Sequence, residues 1–454
     1  MNRRAALLLL CPLLLLPVSP VCANAHTNII FILTDDQRFD TLGCMGNEII
    51  QTPAIDQMAR EGVVFDNMFC TTSICAVSRA SFMTGQYARR HGINDFRTSY
   101  TPEQLEASFP MRLRAAGYRT GLIGKWGIGG ELPADRYDYW RGFPGQGNYF
   151  PNGPKGESQH LEEILRNQAL EFLEGCSTKQ PFLLQLYHKA AHCQDNDPWP
   201  FQPDPKFNAL YADLAIPLPP TSTEAYFERL PEFLKTSEAR KRWHIRFENP
   251  ELHQKSLRDY YRLIASLDET LGALRDKVKQ MGMAENTVFI YTSDNGFYLG
   301  DRGLAGKWYI HEESIRLPLV IHHPQLTAQH GTRRDQVVLN IDIAPTIFEV
   351  AGQPIPEQVQ GKSLLPLLRG ETPEWRTEFL YEHLVPIKTI PQSEGLRTPD
   401  WKYVRYLNTT PPTEELFHLR QDPLEARNLA GLDEYQDVLQ QMRANLEEKI
   451  EQAK

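Results

Sequence analysis

Apolar runs bounded by polar turn residues predict alternating strands and helices along most of the chain. Asn28–Thr34 is a continuous apolar run, and a run that is apolar on both faces is typical of a central strand in a parallel sheet. Similar runs predict strands at 63–69, 120–123, 181–187, 287–292 and 317–322. Helical spacing predicts helices at 52–60, 78–84, 161–173 and 257–281. The alternation indicates an α/β fold with a large mixed, mostly parallel sheet sandwiched between helices.

The pattern changes near residue 370. Short segments at 378–384, 402–407 and 414–419 predict a small antiparallel sheet, and 433–453 predicts a charged terminal helix. We therefore predict a main α/β domain over residues 26–370 and a smaller C-terminal α+β subdomain over 371–454. Residues 194–250 are rich in proline and aromatic residues, which predicts a long excursion over the main domain.

The N-terminal segment has the pattern of a secretory signal peptide. Arg3 and Arg4 precede an apolar run, and a small-residue Ala-Asn-Ala site ends at Ala25. We expect residues 1–25 to be removed and the protein to be exported, to the periplasm or the medium. Since later apolar runs are too short to cross a bilayer, we expect no membrane span in the mature chain.

Composition, net charge and cysteine count limit the classes of protein to which this chain can belong. The chain has 454 residues, of which 41% are hydrophobic and 23% charged, as in ordinary globular proteins. The net charge is −9, so no global basic field attracts nucleic acid, and we expect no nucleic-acid partner. Five cysteines lie beyond the predicted signal peptide. An odd number in an exported protein leaves at least one cysteine unpaired or used for something else.

Polar residues follow several predicted strands at the point where each strand ends. They are Asp35-Asp36, Lys125, His192 and Asp294-Asn295. Because ligands of open α/β sheets bind at the carboxyl ends of the strands, these side chains are expected to meet at one edge. Adjacent carboxylates favour a hard cation such as Ca²⁺ or Mg²⁺. The alternative for each pair is an ordinary solvated turn.

The segment from Cys75 to Gly85, CAVSRASFMTG, is the most informative in the chain. Taken alone, Cys75 is either a reactive cysteine at a helix start or a buried structural one. The segment resembles the sulfatase signature, Cys-x-Pro-Ser-Arg followed by Thr-Gly. Further segments resemble other blocks of that family in the same order, at 28–37, 52–63, 117–126, 189–192, 293–296, 306–318 and 414–429. The chain thus resembles the formylglycine-dependent type I sulfatases of the alkaline phosphatase superfamily.

The resemblance implies hydrolysis of a sulfate ester, on a sulfated small molecule or saccharide. It implies that a sulfatase-maturation enzyme converts Cys75 to formylglycine, whose hydrate is the nucleophile. It implies one Ca²⁺ per chain, with residue 75 as one ligand and four further ligands from Asp35, Asp36, Asp294 and Asn295. The roles implied for the remaining residues are orientation of the hydrate by Arg79, charge compensation by Lys125 and Lys307, and protonation of the leaving alcohol by His192.

The chain departs from the family pattern at two positions. Val77 stands where the maturation motif usually has proline, and Gly127 stands where a histidine usually follows the lysine. His91 and His311 lie beside motif blocks and are candidates to replace that histidine. Two alternative functions stay open: a phosphodiesterase or phosphonate monoester hydrolase of the same superfamily, and a non-catalytic pseudoenzyme that binds sulfated glycans. Trp199 and Trp243, in the excursion, are candidates for stacking on a sugar.

Overall fold

The computed structural model describes residues 27–155, 157–195, 197–326 and 331–454. The predicted signal peptide, residues 1–25, lies outside these ranges, so its prediction is untested. Among the residues that are described, no helix is both long and apolar enough to cross a membrane.

A large mixed sheet forms the centre of the molecule. Its strands are β1 (Asn28–Thr34), β2 (Val63–Phe69), β3 (Arg119–Lys125), β4 (Tyr139–Phe143), β5 (Phe182–Tyr187), β6 (Thr287–Ser293), β9 (Arg316–Leu317), β10 (Leu319–His322) and β11 (Thr332–Leu339). The order is β11-β2-β10-β6-β1-β5-β3-β4, with β9 beside β2. Strands β9 and β10 run antiparallel to their neighbours and the other pairs are parallel. A two-stranded ribbon, β7 (Tyr298–Leu299) with β8 (Ala305–Gly306), lies apart from this sheet.

Helices cover both faces of the large sheet. They are α1 (Pro53–Glu61), α2 (Cys75–Thr84), α3 (Ala88–His91), α4 (Pro102–Ala107), α5 (Phe109–Ala115), α6 (Leu161–Glu174), α7 (Glu224–Phe227), α8 (Glu232–Lys235), α9 (Glu238–Arg246), α10 (Pro250–Gln280), α11 (Glu312–Ile315), α12 (Ile343–Val350), α13 (Leu365–Leu368) and α14 (Gln436–Gln452). Alternate residues of β1 point to opposite faces. Ile30 packs in one core with α1, α6 and α10, and Phe31 packs in the other with α2, α5 and α12. The predicted fold class, a mostly parallel sheet sandwiched between helices, is confirmed.

A small antiparallel sheet follows, as predicted. It consists of β12 (Phe379–His383), β13 (Ser393–Arg397), β14 (Trp401–Tyr406) and β15 (Thr413–His418). One face packs against α14, which buries Leu446 beside Leu396. The opposite face contributes Tyr381 and Val404 to the core of the large sheet. The two sheets therefore share a core, and the domain boundary at residue 370 stays a prediction.

The elements that the sequence pattern did not predict include the two outer strands of the large sheet, the inner strand β13 of the small sheet and several short helices. Strands β4 and β11 are the two outer strands. Both are only partly buried over most of their length, so they lack the continuous apolar runs that mark the inner strands. The excursion carries the short helices α7, α8 and α9.

Candidate active site

The carboxyl ends of four neighbouring strands bring the predicted site residues together. In the parallel pair of β1 and β6, Thr34 lies opposite Ser293, so Asp35-Asp36 and Asp294-Asn295 leave the sheet side by side. Strand β5 lies on the other side of β1 and is followed by the loop that carries His192, and β3 beyond it ends at Lys125.

The acidic pairs form one tight cluster. Asp36 has a left-handed backbone, with φ of 58°, so it leaves the extended conformation in which adjacent side chains point apart. Ligand atoms of Asp35, Asp36 and His192 all lie within 4.8 Å of one another. The Asp36 amide donates to Asp294 Oδ1 over 3.3 Å, and Asn295 Nδ2 donates to Asp36 Oδ1 over 2.6 Å. All five side chains are buried.

Helix α2 begins at Cys75 and holds Arg79 one turn later. Each residue of this helix is buried, and Cys75 is only 1% exposed. Arg79 Nε donates to Asp294 Oδ2 over 2.8 Å, and Nη1 donates to the Lys125 carbonyl over 2.7 Å. The planar guanidinium thus ties α2 to the ends of β6 and β3, which fixes the position of Cys75 against the acidic cluster.

Two buried lysines neutralise the carboxylates. Lys125 Nζ is paired with Asp35, and Lys307 Nζ with Asp36. Burial by itself lowers a lysine pKa, but these carboxylates outweigh it and raise the pKa of both groups above the usual value. Both side chains therefore carry a positive charge at neutral pH.

His192 presents Nε2 to the cluster. Its Nδ1 lies 2.6 Å from the Cys193 carbonyl and must donate to it, because a carbonyl only accepts. Nε2 lies 3.5 Å from Asp36 Oδ2. Burial lowers the pKa of His192 to about 3 although Asp36 and Asp35 act in the opposite direction. The imidazole is therefore neutral near pH 7, with its Nε2 lone pair directed into the site.

The oxygen atoms of the cluster fit a divalent cation. Asp35 Oδ1 and Asn295 Oδ1 are buried without a hydrogen-bond partner, and buried acceptors are normally satisfied. Burial raises the pKa of Asp294 to about 6, and repulsion by the neighbouring Asp35 carboxylate acts in the same direction. Burial opposes ionisation of Asp35 too, but Lys125 and the other cations around it hold its pKa well below the usual range. Carboxylate and amide oxygens are the ligands that Ca²⁺ and Mg²⁺ prefer.

The cluster opens into a cavity of about 280 Å³. Cys75, His192 and Lys307 line its floor, and its walls include Phe96, Gln146, Asp195, Glu238, Arg242, Trp308 and Thr389. These wall residues come from loops and from the excursion, and none of them is among the site residues predicted from the sequence. A larger cavity of about 770 Å³ lies between α1 and the end of α10 and contains none of the predicted site residues.

The two histidines proposed to replace the missing one and the two tryptophans proposed to stack on a sugar do not line the 280 Å³ cavity. His91 bonds to Ser81 Oγ and to the Ile93 amide, and His311 bonds to the Tyr298 hydroxyl. Trp199 and Trp243 also lie outside it. The aromatic residues that reach the cavity are instead Trp308 and Phe96.

Comparison with known proteins assigns the family. The sulfatase family model matches residues 27–353, and a model of the C-terminal region of N-sulphoglucosamine sulphohydrolase matches residues 300–452. The chain belongs to the sulfatase family, whose members are sulfuric ester hydrolases. It is 28% identical to an N-acetylglucosamine-6-O-sulfatase of Bacteroides thetaiotaomicron, over 97% of this chain and 91% of that protein.

Two solved structures extend the comparison. A protein in complex with its substrate D-glucosamine-2-N,6-O-disulfate is 27% identical and has a TM-score of 0.81, covering 94% of this chain and 98% of that one. A phosphonate monoester hydrolase of Agrobacterium radiobacter shares the fold, with a TM-score of 0.80, 21% identity and coverage of 94% and 96%.

Proposed function

We propose that this sulfatase is an exported enzyme that hydrolyses a sulfate ester on a carbohydrate, with formylglycine made from Cys75 as nucleophile and one bound Ca²⁺. The chief support is that Cys75, His192 and Lys307 line one cavity, while His192 and Lys307 contact the acidic cluster, with which Lys125 is also paired. The predicted signal peptide supports export.

Asp35, Asp36, Asp294 and Asn295 would hold the calcium ion, with residue 75 as a further ligand. When bound, Ca²⁺ supplies positive charge that offsets the sulfate and favours the ionised form of the nucleophile. Formylglycine at position 75 would supply, as its hydrate, an attacking oxygen and a second hydroxyl through which the aldehyde is restored when sulfate leaves.

Charge compensation, positioning of residue 75 and proton transfer are assigned to side chains of this chain. Lys125 and Lys307 stay charged and face the place where negative charge develops on the sulfuryl oxygens, an effect that is strongest in a dry site. Arg79 holds α2, and with it residue 75, in a fixed position. His192 Nε2 presents its lone pair to the site, so it first accepts a proton there and then passes it to the leaving alcohol.

A sugar substrate is supported by the relatives and by the cavity walls. The related proteins act on N-acetylglucosamine-6-sulfate or contain a glucosamine disulfate, as their names state. Arg242 Nε donates to Glu238 Oε1 over 2.9 Å, and its guanidinium lies 5.0 Å from the Trp308 ring centre. Carboxylates beside an aromatic face are suited to the hydroxyl groups and apolar faces of a sugar.

A desulfation screen tests the proposal. Protein matured in its native host, with calcium, should release sulfate from N-acetylglucosamine-6-sulfate or another sulfated saccharide, and Cys75→Ala should release none. The same preparation is assayed on an aryl phosphonate monoester and an aryl phosphate diester. Faster turnover of either phosphorus substrate would favour the alternative hydrolase function. Saccharide binding without turnover by fully matured protein would favour the pseudoenzyme.

A further inference from the structure

The position that normally carries a histidine in this family cannot carry any side chain without strain here. Gly127 has φ of +73°, and a Cβ atom there would lie 3.0 Å from Arg79 Cδ and 3.3 Å from Lys125 Cε. The stems of the two buried cations fill this space. A donor that replaces this histidine at the reacting sulfate must therefore come from another element.

Gln146 lies where such a group is needed. It follows β4, which pairs in parallel with β3 so that Phe143 lies opposite Lys125. The loop after β4 consequently emerges at the same edge of the sheet as Lys125. Gln146 is half-buried and lines the active-site cavity. Its Oε1 accepts a hydrogen bond from Lys125 Nζ over 2.6 Å, and its Nε2 lies 3.8 Å from Cys75 Sγ.

The chemistry of Lys125 fixes the orientation of the Gln146 amide. An ammonium group only donates, so Oε1 must face Lys125 and the NH₂ group must face residue 75. Lys125 thus uses one N–H on Asp35 and one on Gln146, so Gln146 helps to fix the position of the ammonium group.

We propose that Gln146 supplies a substrate-contacting donor in this active site, in the place of a side chain at Gly127. The same side chain also positions Lys125. Its NH₂ group contacts the sulfuryl oxygens of the substrate. The inference rests on the proposed sulfatase function and names a residue of that same site. An amide donor is neutral at every working pH, so it adds no protonation requirement, in contrast to a histidine.

Three substitutions separate the two roles of Gln146. Gln146→Ala removes both the donor and the contact to Lys125. Gln146→Glu keeps an acceptor for Lys125 but replaces the donor by a negative charge, and Gln146→Asn keeps the amide on a shorter stem. Gln180→Ala is the matched control, because Gln180 precedes β5 at the opposite edge of the sheet and its side chain bonds only to the Gly117 carbonyl among the contacts described.

Two measurements are made on calcium-loaded, host-matured protein: kcat/KM on the sulfated saccharide, and the affinity for inorganic sulfate by calorimetry. We expect Gln146→Ala to lower kcat/KM by about 100-fold, the usual effect of losing one donor to a developing charge, and to weaken sulfate binding about tenfold. Gln146→Glu should lose at least as much in both, and Gln146→Asn should be intermediate. Gln180→Ala should match the wild type.

Each result bears on a different claim. Wild-type sulfate affinity and kcat/KM in Gln146→Ala would overturn the role of Gln146 and leave the sulfatase function standing. Rescue by Gln146→Glu would overturn the donor role, since only the positioning of Lys125 would then matter. A matured wild-type protein that neither desulfates saccharides nor binds sulfate would overturn the proposed function and this inference together.

Discussion

Charge balance in the acidic cluster explains why a cation and an anion are expected to bind there together. Asp35, Asp36 and Asp294 face Arg79, Lys125 and Lys307 through direct ion pairs. Three carboxylates and three basic groups leave the buried site close to neutral, and His192 adds no charge. A divalent cation alone would leave an uncompensated charge in a low-dielectric environment, which is costly. An ionised nucleophile and a sulfate ester together restore the balance, so we infer that the site favours joint occupancy.

Replacement of Asn295 by alanine tests the proposed calcium site. Asn295 Oδ1 is a buried, unpaired acceptor, and its removal breaks no ion pair, whereas Asp294→Ala would also remove the nearer carboxylate partner of Arg79. We expect Asn295→Ala to weaken calcium binding by at least about tenfold, measured by calorimetry and by elemental analysis. Asn340→Ala is the control, because Asn340 is equally buried but bonds to Ser78 and Thr71. Equal calcium content in the wild type and Asn295→Ala would contradict the assignment.

At the scale of elements, the geometry at the start of α2 decides whether this chain could accept the proline that the maturation motif usually has at position 77. Val77 is the third residue of α2, and the Ser78 amide makes the first helical bond, to the Ile74 carbonyl over 2.9 Å. The Val77 amide therefore precedes the helical ladder, where proline is tolerated. Cys75 and Val77 are also buried, so a maturation enzyme can reach them only before the chain folds.

We expect Val77→Pro to fold and to raise the conversion of Cys75 when the chain is produced with a sulfatase-maturation enzyme. Peptide mass spectrometry measures the converted fraction, because the formylglycine peptide is about 18 Da lighter than the cysteine peptide. Incubation of already folded, unconverted protein with the same enzyme should give no conversion. Equal conversion of the wild type and Val77→Pro would show that the enzyme ignores this position.

Helix α1 provides a pH-dependent contribution to stability. Asp268, on α10, accepts hydrogen bonds from the Ile55 amide over 2.8 Å and the Ala54 amide over 3.2 Å. Burial raises the pKa of Asp268 to about 6, above the value of 3.8 for an exposed group. The folded state therefore binds this proton more tightly than the unfolded state. Its contribution to stability is full below about pH 4 and is lost as the pH rises through about 6.

Comparison with Asp268→Asn isolates this contribution. The amide keeps an acceptor oxygen but does not titrate, so the variant should lack this part of the pH dependence. We expect the free energy of unfolding of the wild type, relative to the variant, to fall by about 2 kcal/mol between pH 4 and pH 7. Urea unfolding at several pH values measures it. A constant difference across this range would contradict the shifted pKa.

Site residues at the ends of inner strands could be predicted from the sequence, whereas site residues in loops could not. Asp35, Lys125 and Asp294 were predicted to meet because each ends an inner strand, and apolar runs mark inner strands clearly. Gln146 was missed because it lies in a loop, whose path depends on tertiary contacts that leave no periodic pattern. Trp308 lies within a segment that resembles a family block, but the resemblance gave it no role in the cavity wall. His91 was placed near the site by its distance along the chain, but a short turn directs its ring to Ser81.

At the scale of the whole molecule, the active-site cavity requires the C-terminal sheet. The loop between β12 and β13 contributes Thr389 to the cavity wall. A buried ion-pair network joins that sheet to the main domain. Lys402 Nζ, on β14, lies 2.8 Å from Glu312 Oε1 and 2.6 Å from Glu425 Oε1. Since the two sheets also share an apolar core, we infer that they fold as one cooperative unit.

Lys402→Ala tests that inference. Lys402 is fully buried, and its removal takes away the nearer cationic partner of two buried carboxylates, which keep only longer contacts to Arg397 and Arg302. Breaking a buried pair in this way typically costs about 3–5 kcal/mol. If the molecule unfolds as one unit, tryptophan fluorescence, far-UV circular dichroism and loss of sulfate binding should share a single thermal transition, and this transition should move to lower temperature as a whole. Lys454→Ala is the control, because its pair with Glu451 is exposed and such pairs contribute about 0–1 kcal/mol. Two separate transitions, of which only one moves in Lys402→Ala, would show that the segment beyond residue 370 unfolds independently.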